Sequence, residues 1–348
     1  MSAQRDSDSV PVSSWRSARL FVTDEFETPP VILRVDDSVI GTLGNFSAST
    51  GKAKSKKTFN VCAIVAAVLT GGTVLNYSAS LPPEKRRILY VDTEQSRFHC
   101  KRVLCRILRL AGLPTDAHPP LLEFLCLHGY ATKERLRKIE EAIYDLDDLG
   151  LVVINGIRDL AHDINSPGEA TDLITKLMQW TDERRIHIHT VLHLNKGDDN
   201  TRGHLGTELN NKAETVLQIT KDDFDRDISS VAAMHIRDRD FEPFAFRINA
   251  DALPELVEGY QPRPTTAAKS FDYAEVCEAK HREALELLFS EADRVSYSSL
   301  IGRLQSSYAS IGHSFGINKA KQLKVFLENK RMIVKEDRFY CYNPDFHY

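Results

Sequence analysis

Residues 46–59, FSASTGKAKSKKTF, fit the anion-cradling pattern G-x-x-x-x-G-K-[ST] in one register: Gly51, Lys52, Ala53, Lys54, Ser55, Lys56, Lys57, Thr58, with Phe59 following. In such a loop, backbone N–H groups at a helix N-terminus converge on phosphate oxygens. Lys57 would add a full charge and the Thr58 hydroxyl would hold Mg2+. Lys56 stands where the pattern has its second glycine, so a plain basic turn is the alternative. Glu94, in YVDTEQ, ends the next apolar run and has the chemistry to activate water. The bland reading of Asp92 and Glu94 is a solvated strand end.

A third run, LGLVVING, ends in Asn155 where a magnesium-facing aspartate is expected. Asparagine keeps one acceptor oxygen and loses the charge, so a metal hold shared by Thr58, Asn155 and Asp92 would be weaker, and Asn155→Asp is expected to raise hydrolysis. VLHLN puts His193 at another strand end, where it could sense a terminal phosphate. His187, His189 and His193 alternate along one strand with no cysteine or acidic set beside them, which argues for strand residues over a zinc site.

These residues need a sheet edge to meet on. From residue 46 onward, short apolar runs alternate with helix-period segments, the pattern of βαβ units and a parallel sheet. The expected strands are 45–50, 86–94, 121–129, 149–156 and 185–194. In an open parallel sheet, ligands bind at the C-terminal strand ends, where every candidate named above falls. NKGDDNTRGHLGTELNN reads as a long polar loop, followed by a strand at 214–222 and a hairpin within 229–249.

Residues 1–29 read as a tail, 30–252 as the α/β domain and 253–270, with its prolines, as a linker. In 271–348, three helices closed by a two-strand ribbon spell a small winged-helix domain. The net charge of −4 gives no global attraction to nucleic acid. Six cysteines without a C-x-x-C pair, no signal-length apolar segment and a longest apolar run of Val61 to Leu69 lead to the expectation of a soluble, cytoplasmic chain with no membrane partner.

Taken in order, the motifs of residues 30–250 resemble the RecA-like ATPases, especially the RepA and DnaB type of hexameric replicative helicase. Nearest in texture are ATPases carried by mobile genetic elements of Bacteroides-like bacteria, whose loops read like GKAKSKKTF and RGHLGTEL. The resemblance implies an α/β fold with a RecA-like parallel-sheet P-loop NTPase core, ATP and Mg2+ as cofactors, self-association into a ring, and single-stranded DNA as partner. It makes Lys56 a family variation, and it leaves Asn155 as a departure.

The resemblance also implies that Arg237 and Arg239, in MHIRDRDF, reach a neighbouring subunit's γ-phosphate. Exposed arginines paired with Asp238 and Asp240 are the alternative. Lys196, Arg202 and His204 would face DNA phosphates in a central channel, or belong to a solvated loop. Lys321 and Lys324 on the last helix suit a DNA groove, although winged helices also dock proteins. The competing function is a non-hydrolysing, nucleotide-responsive DNA-binding or assembly factor, with turnover switched off at Asn155.

Overall fold

The stretch VILRVDDSVIGT folds back on itself as strands β1 (Val31–Val35) and β2 (Ser38–Thr42), with Asp36 in the left-handed region at φ 50° in the turn. The chain then runs through β3 (Phe46–Gly51), α1 (Lys57–Thr70), β4 (Thr73–Val74), β5 (Tyr77–Ala79), β6 (Arg87–Asp92), α2 (Arg97–Leu110), β7 (Leu122–Cys126), α3 (Thr132–Asp145) and β8 (Leu149–Asn155). It continues with α4 (Pro167–Arg184), β9 (His187–His193), α5 (Gly203–Lys212), β10 (Thr215–Lys221), β11 (Ile228–Ile236), β12 (Phe244–Ile248) and β13 (Pro254–Leu256). This computed structural model describes residues 14–194, 203–222, 225–261, 273 and 276–346. Met1–Pro262 and Arg263–Tyr348 form separate units.

The central sheet has nine strands in the order β13-β12-β11-β10-β3-β9-β8-β6-β7, parallel from β10 to β7 and antiparallel from β10 to β13. Successive strand residues point to opposite faces. Ile88 and Tyr90 therefore join one core with α1, while Leu89 and Val91 join another with α3, α4 and α5. Helix α1 is apolar on nearly every side because it is covered twice: its residues Val61–Val65 pack in one cluster with the main sheet and with a small sheet ordered β2-β1-β5-β4.

Three sequence expectations change here. The small sheet was not foreseen, since its strands are two to five residues long and its two local hairpins, β1–β2 and β4–β5, are joined only through the pairing of β1 with β5, more than forty residues on. The stretch expected as a linker begins with β13, which pairs with β12; proline is tolerated at the first residue of an edge strand. The second half of the expected polar loop is helix α5, whose Leu205 and Leu209, four apart, are buried against the sheet.

Strands β3 and β9 are also joined by a buried side-chain ladder. His187 Nδ1 donates to the Thr42 carbonyl at 2.8 Å, so its Nε2 accepts from Ser47 Oγ at 2.7 Å. Ser47 Oγ then accepts from His189 Nδ1 at 2.8 Å, and His189 Nε2 accepts from Ser49 Oγ at 2.9 Å. Both rings are thereby fixed neutral. Burial pushes His187 down to about 4 and His189 to about 3 from their usual 6.5.

Below pH 6.5 the unfolded chain takes up protons that the folded chain refuses. Stability from this pair is thus complete above pH 6.5 and lost as pH falls toward 4. A tenfold change in proton affinity corresponds to about 1.4 kcal/mol, so the loss is on the order of a few kcal/mol. The urea midpoint should fall between pH 7.5 and pH 5, and a His187→Asn/His189→Gln variant should show a shallower fall. An equal fall in both proteins would remove the histidines as its source.

The second unit contains α6 (Glu278–Phe289), β14 (Val295–Ser296), α7 (Tyr297–Ser310), α8 (Ile317–Asn329), β15 (Ile333–Glu336) and β16 (Phe339–Tyr342). Its sheet has three strands, ordered β14-β16-β15, where the sequence showed a two-strand ribbon. Leu285, Leu288, Leu300, Leu304, Leu323 and Leu327 form its core.

Candidate nucleotide site

Register brings the candidates to one edge. Gly51 pairs with His193, Asn155 lies beside Val191, and Asp92 pairs with Asn155, so β3, β9, β8 and β6 deliver their C-terminal ends side by side. Between β3 and α1 the loop Gly51–Lys56 turns back on itself. A Cβ at Gly51 would come within 2.3 Å of the Ile219 carbonyl oxygen and 2.6 Å of Ser55 Oγ, so only glycine fits. Lys56 caps α1 in the left-handed region (φ 67°, ψ 26°), the conformation for which the pattern's second glycine is chosen. Lysine adopts it at a cost of about 1–2 kcal/mol, while its ammonium donates to the Asp227 carbonyl in the β10–β11 loop.

Lys57 points the other way. It is buried, with Nζ donating to the Gly51 carbonyl at 2.7 Å and the Lys52 carbonyl at 2.9 Å. Burial lowers its pKa to about 8, against the opposing pull of Glu94, so it stays predominantly cationic at neutral pH. Ser55 Oγ is buried without a hydrogen-bond partner beside it. An unpartnered hydroxyl, a lysine held on loop carbonyls and the first turn of α1 with Thr58 together form a cradle suited to a nucleotide triphosphate and its magnesium. Lys52, Ala53 and Lys54 are exposed on its rim.

Glu94 stands across from this loop. Its Oε1 lies 3.6 Å from His193 Nε2, and that contact is the chief reason its carboxyl titrates below the usual range; burial opposes the shift. Gly156, at φ 98°, sits under Glu94: a Cβ there would meet Thr93 Oγ1 at 2.3 Å and Glu94 Cγ at 2.7 Å. The turn carrying Glu94 is held from behind as well, because the thiols of Cys100 and Cys126 both donate to the Gln95 carbonyl, at 3.3 and 3.5 Å.

A cleft of about 360 Å³ opens between the loop and α2. Sequence reading missed its far wall of His99, Arg102 and Arg106. Their spacing of three and four residues just after Glu94 was the available signal, since it places them on one helix face. Arg106 lies 3.8 Å over the Phe59 ring and donates to the Ala252 carbonyl at 3.1 Å, so it shapes the wall, while Arg102 is exposed at the rim.

Other candidates lie elsewhere. Asp92 is fully buried and Asn155 nearly so; Asn155 Nδ2 donates to Asp92 Oδ2 at 2.9 Å, a pairing that the expectation of two metal-facing oxygens did not include. Arg237 and Arg239 follow β11 at the opposite end of the sheet, where Ile236 pairs with Thr215 and Thr215 with Ser47. Neither can reach its own chain's loop from there. Their neighbours are not their ion partners: Asp238 accepts from Val39 N–H at 2.8 Å and Asp240 from Phe241 N–H at 2.9 Å. Arg237 donates to the Lys212 carbonyl, and Arg239 is exposed.

His204 is exposed at the start of α5, whereas Lys196 and Arg202 lie outside the described residues. On α8, Lys321 is exposed but Lys324 is bound to Glu328 and lies 4.9 Å over the Tyr340 ring, which draws it out of the set of free cations. Among the described residues no group of three or more His, Cys, Asp or Glu side chains is placed to hold a metal, and no helix is long and apolar enough to cross a membrane.

The profile of a family described as AAA domain matches residues 16–199. Among solved structures, the crystal structure of the RadB recombinase is similar over 60% of this chain and 90% of that chain, with a TM-score of 0.43 and 15% identity. A search of curated proteins finds no match.

Proposed function

The chain belongs to the AAA domain family, and from that premise we propose that it is an ATP-hydrolysing RecA-like motor, assembled as a ring, that acts on single-stranded DNA. The observation that supports it best is the meeting of Lys57, at the start of α1, with Glu94, just after β6, and His193, at the end of β9, on one sheet edge. Lys57 would leave its loop carbonyls for the β- and γ-phosphates, and Thr58 would hold the magnesium ion. When bound, that ion supplies Lewis acidity at the phosphoryl oxygens. Glu94, kept ionised by His193, accepts a proton from the attacking water at its Oε1 or Oε2. His193 would then exchange Glu94 for the terminal phosphate, coupling the site to the 195–202 segment that follows β9.

Arg239, exposed and out of reach of its own chain's loop, favours a ring in which it would serve a neighbour's phosphate, with Arg237, which donates to the Lys212 carbonyl, beside it. A hexamer of the RepA and DnaB type, encoded by a mobile element and working in the cytoplasm, is the form we propose. The second unit is proposed as a winged helix that contacts DNA through Lys321. The exposed Ile317 and Val325, one turn to either side of Lys321 on the same stripe of α8, favour a protein contact as the second reading.

Mixing tests the ring. Arg239→Ala subunits should bind ATP and fail to turn it over, and Lys57→Ala subunits should fail to bind. Combined, they should recover turnover, since some interfaces then join an intact loop to an intact arginine. Normal DNA-stimulated turnover by Arg239→Ala alone, or no recovery in mixed assemblies verified to contain both subunits, would return the arginine to the surface.

A further inference from the structure

The residue at the end of β8 has work that a magnesium ligand would not have. Asp92 is fully buried, and four donors converge on its carboxylate: the backbone N–H groups of Glu94 (3.0 Å) and Gln95 (2.8 Å) on Oδ1, and Gln95 Nε2 (2.8 Å) and Asn155 Nδ2 (2.9 Å) on Oδ2. An ionised carboxylate has about four acceptor sites, so this one is saturated. Two of the four bonds close the turn that presents Glu94. A third comes from Gln95, which lines the cleft, and the fourth, from Asn155, anchors the arrangement to the next strand.

We propose that Asn155 is a positioning residue for Glu94: Asp92 and Asn155 form a matched carboxylate–amide pair, carrying one negative charge between them, that fixes the catalytic turn from below. The inference rests on the reading of Glu94 as the water-activating base. It reverses the expectation that a carboxylate at 155 would help. Aspartate there would set two buried carboxylates against each other at hydrogen-bonding distance and withdraw a donor that Asp92 needs. Both sites require an acceptor and a donor in total, so the charge can be moved between them but not doubled.

The test is an exchange. Asn155→Asp in the full chain should lower kcat about 100-fold, the scale of a 1 Å misplacement of a reacting group, while the Kd for a non-hydrolysable ATP analogue stays within a few-fold of the parent. Its melting temperature should fall by at least about 5 °C. Asp92→Asn/Asn155→Asp, in which residue 92 keeps a carbonyl oxygen for the Glu94 and Gln95 N–H groups and gives one amide hydrogen to residue 155 and the other to a Gln95 side chain turned to present its Oε1, should regain most of both losses. If Asn155→Asp does not fold, recovery of a folded protein in the exchange supports the pairing equally, and a misfolded exchange beside a well-folded Asn155→Ala overturns it.

Unchanged or raised kcat in Asn155→Asp, or an exchange no better than the product of its single variants, also overturns it. If the parent itself has no turnover, the function proposed above fails. The melting temperatures of the same variants still decide whether 92 and 155 are paired.

Discussion

Lys57→Ala should weaken ATP binding at least about 100-fold, since it removes the two or more charge-assisted hydrogen bonds that the ammonium can offer to phosphate oxygens, each contributing about 1.5–3 kcal/mol. Lys56→Gly should leave affinity within a few-fold of the parent and should not lower the melting temperature. The contrast between adjacent lysines follows from their geometry: Lys57 is buried facing Glu94, while the Lys56 ammonium is spent on the Asp227 carbonyl. Glycine at 56 would adopt φ 67° without the steric cost that a lysine bears there. Titration with a fluorescent ATP analogue measures both. Equal losses from the two substitutions would mean that the loop is a basic turn.

Glu94→Gln should abolish turnover, by about 100- to 10,000-fold, with nucleotide affinity retained or improved. The amide keeps the size of the side chain and can still meet His193, but it cannot take a proton from water. Loss of the negative charge facing Lys57 would also lower that lysine's pKa further, because Glu94 is the group that opposes the effect of burial. Binding assays should therefore be run near pH 7, below the Lys57 pKa of about 8 in the parent. A Glu94→Gln protein that hydrolyses ATP at more than about a tenth of the parent rate would assign the base elsewhere.

What the sequence displayed was whatever is local. The loop Gly51–Thr58, the strand ends at Glu94 and His193, and the apolar runs that became β3, β6, β7, β8 and β9 are each readable within a dozen residues, because strand burial and loop chemistry are written in consecutive positions. What it hid depends on partners far along the chain. Nothing near Asn155 announces that its amide meets Asp92, 63 residues earlier. Without that contact the residue looks like a lost aspartate.

Lys324 reads as a free cation until Glu328 and Tyr340 enclose it. The strands β4 and β5, two and three residues long, carry too little periodicity to be seen, and they exist because β1 and α1 cover them. Left-handed backbone was half visible. Lys56 occupies a glycine position in the pattern, and at φ 67° it takes up the left-handed conformation that glycine adopts most readily.

The most direct test is phosphate release by the full chain with ATP and magnesium, measured with and without a single-stranded oligonucleotide. Steady turnover that rises on adding the oligonucleotide, and that disappears in Glu94→Gln, is the predicted result. ATP bound at the Lys57 loop with no phosphate released in either condition would contradict the motor and leave a nucleotide-responsive assembly factor in its place.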